Sequence, residues 1–449
     1  MIAADHFRGR ARNHLVFGLL ALGTSGVAWA ATSAEGHRRI GPVLFGLAVL
    51  VIAAKAGGLL AERWRQPPVL GELLIGIGLG NLLPPVFGEQ GIAFVRSDPS
   101  LLVLAEVGVL ILLFDVGLEA DLRAFARVGL SSLLVALTGM AVPFGLGWAA
   151  AAWLLPNDAT LLHIFVGTIL TATSVGITAR VLKDLDVTQS PEGQTILGAA
   201  ILDDVLGLIL LAVVGGMVTA AATGGPGLSA LAIAGIFIRA VLFLGITVGL
   251  GHWFSGPIVR LAARTGQHGM LLVFGLALCF TLAYIAELVG LAGIVGAFAA
   301  GLLLDPYGTG VRAREDEATL AELLHPLSTL FVPLFFVLMG IQVHLGSLAD
   351  ATVLRFGTVL VLCAVAGKLA CGLGVVGRGM NRLAVAVGMI PRGEVGLIFA
   401  GIGTSLTLQG KPLLSQGVFS AVVLMVLITT LVTPVGLRWA FRRPSAAAR

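Results

Sequence analysis

The chain has 449 residues, of which 57% are hydrophobic and only 12% are charged, and its formal net charge is +4. Soluble domains carry about 25% charged residues, so this composition excludes a soluble globular protein and predicts a polytopic membrane protein. The small net charge gives no support for a nucleic-acid-binding surface, and the 61 glycines are typical of helices that pack closely in lipid.

The first 30 residues have the layout of a secretory signal peptide. Three arginines precede an apolar stretch at 14–28, and the small-residue pattern Ala28-Trp29-Ala30 closes it. A basic segment, an apolar core and a small-residue cleavage site are the three parts of such a peptide. We therefore predict a signal peptide over 1–30, with an uncleaved first helix as the alternative. The remaining 31–449 are predicted to form one membrane domain with no soluble domain.

Thirteen further segments are apolar enough to be predicted as membrane spans, several of them close to the minimum length. In chain order they lie at about 40–61, 69–85, 100–118, 129–155, 160–180, 195–221, 229–252, 269–288, 289–304, 324–343, 353–376, 383–405 and 417–440. The predicted fold class is therefore an all-α polytopic membrane protein with about 13 transmembrane helices.

Basic residues are concentrated on alternate loops between these spans. Pairs such as Arg63/Arg65, Arg180/Lys183 and Arg442/Arg443 fall on one set of loops, whereas the intervening loops contain little Lys or Arg. Because cytoplasmic loops are enriched in Lys and Arg, this pattern predicts an N-terminus outside and a C-terminus inside the cell. We expect the protein in the inner membrane of a bacterium.

Two of the predicted spans are interrupted by polar or helix-breaking residues. The span at 160–180 contains the interruption 171–176, and the span at 383–405 contains the interruption 391–394. The two spans are seven apart in order, so they cross the membrane in opposite directions. Interrupted helices at matching positions in two oppositely oriented halves indicate an inverted-repeat transporter with a site near the middle of the bilayer.

Two adjacent aspartates are the only charged residues in the apolar run 196–221. A carboxylate at this depth costs roughly 2.5–3.5 kcal/mol, so Asp203 and Asp204 predict an ion or proton pathway. Neighbouring side chains on a helix diverge by about 100°, so one acid can line the pathway while the other meets a partner on a facing helix. Lys368, isolated in the run 359–376, is the obvious partner. A static salt bridge is the alternative role for Lys368, and it accounts for only one of the two acids.

The residues at the interruptions are the remaining candidates. Thr173 and Ser174 offer hydroxyls beside exposed carbonyls, so we predict a monovalent-cation site formed by Asp204 and Thr173, with Ser174 as a further ligand. Back-bonding to helix carbonyls is the alternative role for these hydroxyls. At the second interruption, Arg392 and Glu394 are interpreted as supporting charges that neutralise the ends of half-helices.

The rest of the sequence shows no other recognisable chemistry. There is no Walker loop and no nucleophile–base arrangement, and the three cysteines lack metal-ligand spacing. Other acids and histidines in or near spans are interpreted as helix-end or packing partners; they include Glu72, Asp115, Glu119, Glu287, His163 and His325. We therefore predict a protein that is not an enzyme and that needs no cofactor beyond its transported ions.

Six motifs, which occur in order between about 40 and 440, resemble those of the monovalent cation:proton antiporter-2 family. They are RQPPVLGEL at 65–73, AEVG at 105–108, FDVGLE at 114–119, IVGAFAAGL at 294–302, FVPLFF at 331–336 and MIPRGEVGL at 389–397. The resemblance implies an antiporter of inverted repeats, with two broken helices that cross near the aspartate pair. It also implies a homodimer with a dimerisation domain, and a moving core domain with helices within about 100–221 and 324–440.

Within that family, the chain is similar to sodium/proton antiporters of the double-aspartate type. Potassium-efflux members have a Gln-Asp pair and a nucleotide-binding domain, whereas this chain has Asp203-Asp204 and no such domain. The resemblance implies that Asp204 binds the ion while Asp203 pairs with Lys368. We expect electrogenic exchange of Na⁺ or Li⁺ for H⁺ by alternating access. Exchange of K⁺ for H⁺ is the alternative, and a passive channel is disfavoured because no filter loop is visible.

Overall fold

The computed structural model describes residues 40–64, 66–82, 95–96, 98–119, 129–222, 234–247, 249, 257, 269–304, 319–376 and 379–442. The helices in these ranges are α1 Ile40–Arg63, α2 Pro68–Leu82, α3 Pro99–Glu119, α4 Leu130–Leu154, α5 Thr160–Thr171, α6 Val175–Asp184, α7 Pro191–Ala222, α8 Ala234–Thr247, α9 Met270–Leu288, α10 Gly293–Leu303, α11 Leu320–Gln342, α12 Ala351–Leu369, α13 Arg382–Gly388, α14 Glu394–Ser405 and α15 Gln416–Arg442.

Short irregular elements connect some of these helices. Two 3₁₀ turns, Leu345–Ala349 and Ala370–Gly374, flank α12. A small antiparallel hairpin joins α14 to α15, with strand β1 (Thr407–Leu408) paired to strand β2 (Lys411–Pro412).

The polytopic helical fold predicted from the sequence is confirmed. Within the described ranges, 9 helical segments are long and apolar enough to cross a membrane, with α5 and α6 counted as one segment. Four shorter apolar helices accompany them, namely α2, α8, α10 and α14. Each of the thirteen predicted spans overlaps one of these segments. The predicted signal peptide at 1–30 lies outside the described residues.

Helix α7 begins earlier than apolarity alone predicts. The predicted span started at 195, whereas the helix starts at Pro191. The Ser190 hydroxyl accepts a hydrogen bond from the Gly193 N–H (3.0 Å), and proline is favoured at the first position of a helix, where its missing N–H costs nothing. The first turn of α7 is therefore polar, and a hydropathy criterion misses it.

The described chain divides into two compact units. One contains the described residues up to Val107 together with Pro333–Val343, and the other contains those of Gly108–Val332 and His344–Arg449. In the first unit, α1 and α2 touch at two glycines. A methyl group on Gly71 would lie 1.9 Å from the carbonyl oxygen of Gly57, so this helix pair can approach this closely only without side chains.

The second unit contains both interrupted helices, and α4, α7, α12 and α15 pack around them. Close approach again depends on small residues: a methyl group on Gly367 of α12 would lie 2.9 Å from Cα of Pro143 in α4. A buried apolar cluster from α4, α6, α7 and α13 lies beside the interruptions; it includes Val135, Leu182, Ile196, Leu202 and Val385. This packing holds the two interruptions and the aspartate pair in one buried region.

Candidate ion-binding site

The two helix interruptions contact each other. The first lies between α5 and α6 and the second between α13 and α14. The Ser174 N–H donates to the carbonyl oxygen of Pro391 (2.9 Å), and Nη1 of Arg392 donates to the carbonyl oxygen of Ala172 (2.7 Å). One turn into α6, the Thr178 hydroxyl donates to the carbonyl oxygen of Gly388 (2.7 Å). Backbone groups that lack a partner in their own interrupted helix are thus hydrogen-bonded to residues of the other interrupted helix.

Charged side chains match the polarity of the half-helix ends at this crossing. Arg392 reaches the carbonyl end of α5, where the helix dipole is negative. Glu394 lies in the first turn of α14, where the dipole is positive. Its two carboxylate oxygens share the hydrogen bond donated by the Ser174 hydroxyl at the start of α6 (3.0 and 3.2 Å). Gly393 allows this contact, because a methyl group there would lie 2.6 Å from Oγ of Ser174. Arg392 and Glu394 therefore each neutralise the partial charge of a half-helix end.

Asp203 and Lys368 form a fully buried ion pair. Nζ of Lys368 lies 3.0 Å from Oδ2 of Asp203, and both side chains are 0% exposed. The Thr173 hydroxyl donates to the same oxygen (2.5 Å), so the ion pair is tied to the first interruption. The backbone of α4 packs against the lysine at Gly139, where a methyl group would lie 3.4 Å from Nζ. This contact is the one that the family resemblance implies for Asp203 and Lys368.

Asp204 lies in a different environment from its neighbour. The residue is partly exposed, whereas Asp203 is buried. Its Oδ1 atom is buried and has no hydrogen-bond partner among the described residues. Both Asp203 and Glu394 repel the Asp204 carboxylate electrostatically, and Lys368 attracts it. Asp204 is thus a carboxylate that retains unused acceptor capacity at the crossing of the interrupted helices.

Counted together, the ionisable groups of the crossing lack one positive charge. They comprise the carboxyl groups of Asp203, Asp204 and Glu394 and the cationic groups of Lys368 and Arg392. With every group ionised, the sum is minus one. Because uncompensated charge in a buried site is costly, this composition favours the presence of one additional proton or one monovalent cation.

Two of the predicted cation ligands occupy other roles in this structure. The Thr173 hydroxyl donates to Asp203, and the Ser174 hydroxyl donates to Glu394. Both hydroxyl oxygens still have lone pairs that can accept a hydrogen bond or coordinate a cation. Thr430 of α15 is not among the residues predicted from the sequence, yet its hydroxyl donates to the carbonyl oxygen of Arg392. Threonine in an otherwise apolar span was the available signal, since Thr429, Thr430 and Thr433 are all buried.

Two of the residues interpreted as packing partners make hydrogen bonds outside the crossing. Asp115 accepts a hydrogen bond from the Ser328 hydroxyl (3.4 Å), which links α3 to α11 within the second unit. The His163 ring lies 2.8 Å from the carbonyl oxygen of Leu155, at the end of α4. Both contacts satisfy polar groups near helix ends.

Comparisons with known proteins agree with this architecture. Residues 17–443 match the family described as sodium/hydrogen exchanger, transmembrane. The chain is 38% identical to the high-affinity Na⁺/H⁺ antiporter NhaS3 of Synechocystis sp., with 92% of this chain and 93% of that protein covered. It is 34% identical to the Na⁺/H⁺-K⁺ antiporter GerN of Bacillus cereus, with 88% and 96% covered.

A solved structure has the same fold at low sequence identity. The sodium proton antiporter MjNhaP1 of Methanocaldococcus jannaschii superposes with a TM-score of 0.66 at 16% identity, over 89% of this chain and 97% of that one. The family match spans nearly the whole sequence, and the recognised resemblance to cation:proton antiporters is confirmed. The chain belongs to the sodium/hydrogen exchanger family.

Proposed function

We propose that this protein exchanges Na⁺ or Li⁺ for H⁺ by alternating access, with Asp204 as the residue that binds either the cation or the proton. The observation that carries the proposal is that the buried Oδ1 atom of Asp204 has no hydrogen-bond partner among the described residues, in a residue that is partly exposed overall. It lies beside Asp203, whose charge is already balanced by Lys368. Membership of an exchanger family supports transport rather than enzymatic chemistry, and the proposed reaction requires no cofactor.

The proposed cycle uses the charge deficit of the crossing. A deprotonated Asp204 attracts one cation, and the hydroxyls of Thr173 and Ser174 and the carbonyls of the interruption supply further oxygen ligands. When the site opens to the other side, a proton on Asp204 displaces the cation. Asp203 is paired with Lys368 in the state described here. One carboxylate thus selects between two ions, which is the requirement for coupled exchange.

The identity of the transported cation can be tested directly. The relative GerN is named as a Na⁺/H⁺-K⁺ antiporter, so exchange of K⁺ for H⁺ is a second candidate. Inverted membrane vesicles with an imposed ΔpH separate the two. We expect Na⁺ and Li⁺ to dissipate ΔpH at lower concentrations than K⁺ does. If a cation crosses the membrane without any change in ΔpH, the result would favour a passive channel.

Protons and the cation should compete for one site. A carboxylate must lose its proton before it can bind Na⁺, so the apparent affinity for Na⁺ should increase as pH rises through the pKa of that carboxylate. For each proton that must leave the site, we expect the Na⁺ concentration for half-maximal ΔpH dissipation to fall by about tenfold per pH unit below that pKa and to level off above it. An affinity that stays constant across the active pH range would contradict a shared site.

Transport should move net charge. If the Asp203–Lys368 pair releases and rebinds a proton along with Asp204, two protons exchange for one Na⁺. One elementary charge that crosses 100 mV is worth about 2.3 kcal/mol, so a potential that is negative inside should drive Na⁺ outward. We expect a Na⁺ jump to produce a current in proteoliposomes on a solid-supported membrane. Full exchange without any response to a valinomycin-imposed potential would make the transport electroneutral and leave Lys368 a structural residue.

We also propose that the protein lies in the inner membrane of a bacterium as a homodimer, with its N-terminus outside and its C-terminus inside. Exposed residues at the two ends of the segment Thr160–Lys183 test the orientation. In a variant without native cysteines, Asp158→Cys should react with a membrane-impermeant maleimide added outside, whereas Gln189→Cys should react only after the cells are opened. The reverse pattern would invert the orientation.

A further inference from the structure

Asp203 has one fully used oxygen and one unused oxygen. Its Oδ2 atom accepts from both Lys368 (3.0 Å) and Thr173 (2.5 Å). Its Oδ1 atom is buried and, within the described part of the chain, has no hydrogen-bond partner. A carboxylate has about four acceptor sites, so half of the hydrogen-bonding capacity of this buried group is unmet.

Arg392 shows the complementary deficiency. It is the largest fully buried side chain that the structure describes, and only Nη1 is engaged, on the carbonyl oxygen of Ala172. Its Nε and Nη2 atoms are buried without a hydrogen-bond partner in the described ranges. Unmet donors on a buried cation are costly, because the group has lost its water and gained nothing in return.

These two unmet groups belong to the same small region. Arg392 holds the carbonyl of Ala172, and Asp203 holds the hydroxyl of the next residue, Thr173. Arg392 and Asp203 attract each other electrostatically, and Arg392 and Lys368 repel each other. A guanidinium presents five N–H donors in a planar fork, so Arg392 can keep the carbonyl and still offer donors to a carboxylate.

We propose that Arg392 is a second counter-charge for Asp203, and that it takes the free Oδ1 atom whenever Lys368 withdraws. Asp203 then has two alternative cationic partners on different helices, α12 and the interruption before α14. Lys368 holds Asp203 in the state described here. Arg392 is a positioning residue that keeps the Asp203 charge balanced when the helices rearrange. This role in the cycle rests on the proposed exchange function, whereas the alternative ion pair itself does not.

The proposal predicts an asymmetry between the two partners of the ion pair. Asp203→Asn leaves two buried cations, Lys368 and Arg392, without their carboxylate. Lys368→Met leaves Asp203 with Arg392 as a ready replacement. We therefore expect Asp203→Asn to lower the melting temperature of the purified protein much more than Lys368→Met does. A plain two-residue ion pair would give losses of similar size.

The decisive experiment is a double-mutant cycle, with the melting temperature of the full-length protein in detergent as the readout. We expect the loss in Lys368→Met/Arg392→Gln to exceed the sum of the two single losses by at least about 3 °C, because only the double variant leaves Asp203 without a cation. The matched control is Lys368→Met/Arg438→Gln, since Arg438 is an exposed arginine of α15. Its two losses should be additive.

Rescue by a conservative change separates charge balance from simple packing. Lys368→Met/Arg392→Lys restores a cation at position 392, so it should recover much of the stability lost in Lys368→Met/Arg392→Gln. Three results would each overturn the proposal. The first is an equal loss of melting temperature in Asp203→Asn and Lys368→Met, and the second is additive losses at positions 368 and 392. The third is failure of Lys368→Met to fold where Asp203→Asn folds. None of these readouts depends on transport, so failure of the exchange function would be recognised separately, from the vesicle assay.

Discussion

Replacing Asp204 with asparagine should abolish Na⁺-dependent proton movement while the protein still folds and inserts. Asparagine has the same shape but cannot carry the negative charge that attracts a cation or the proton that replaces it. The Asp204 Oδ1 atom has no hydrogen-bond partner in the described part of the chain, so the substitution breaks no contact of that oxygen. We expect ΔpH dissipation in inverted vesicles to fall to the level of vesicles without the protein.

The control for this experiment is a matched charge removal elsewhere. Asp158 is an exposed aspartate between α4 and α5, and Asp158→Asn should exchange at the wild-type rate. Melting temperatures of both variants should lie close to that of the wild type, which shows that any loss of exchange is not a folding defect. Wild-type exchange in Asp204→Asn would refute the assignment of Asp204 as the ion-binding residue.

Replacing Asp203 with asparagine should have the largest effect on stability. It leaves the ammonium group of Lys368 buried without its counter-charge, and breaking a buried pair from one side typically costs about 3–5 kcal/mol. The Thr173 hydroxyl also loses its charged acceptor. We expect a reduced yield and a clearly lowered melting temperature.

Removing both charges of the pair tests the cause of this loss. Asp203→Asn/Lys368→Met no longer buries an uncompensated lysine, so it should recover much of the melting temperature lost in Asp203→Asn. Replacing a buried ion pair by neutral side chains of similar size is often close to neutral for stability. A double variant no more stable than Asp203→Asn would indicate that Asp203 acts through contacts other than Lys368.

The sequence by itself determined the fold class, the approximate spans and the residues that carry charge into the membrane. These features follow from local chemistry: about 20 apolar residues are needed to cross the bilayer, and a carboxylate or a Pro-Arg-Gly run within such a segment is conspicuous. The interruptions were visible for the same reason, and they lie at 172–174 and 389–393 in the structure, close to the predicted 171–176 and 391–394. The polar start of α7 was hidden, because Ser190 caps that helix end by a hydrogen bond, which a hydropathy criterion does not detect.

The tertiary structure alone decided which groups meet. Residue patterns showed that one aspartate could reach Lys368, and the family resemblance suggested Asp203. Only the rotation of α7 against α12 brings Asp203 to 3.0 Å from the lysine and leaves Asp204 partly exposed. The bonds of Thr173 to Asp203 and of Arg392 to Ala172 join residues far apart in the chain. These bonds form because the backbone N–H and C=O groups and the charged side chains at the two interruptions have no water to bind in this buried region. The polar groups of each interruption must therefore find partners in the other one.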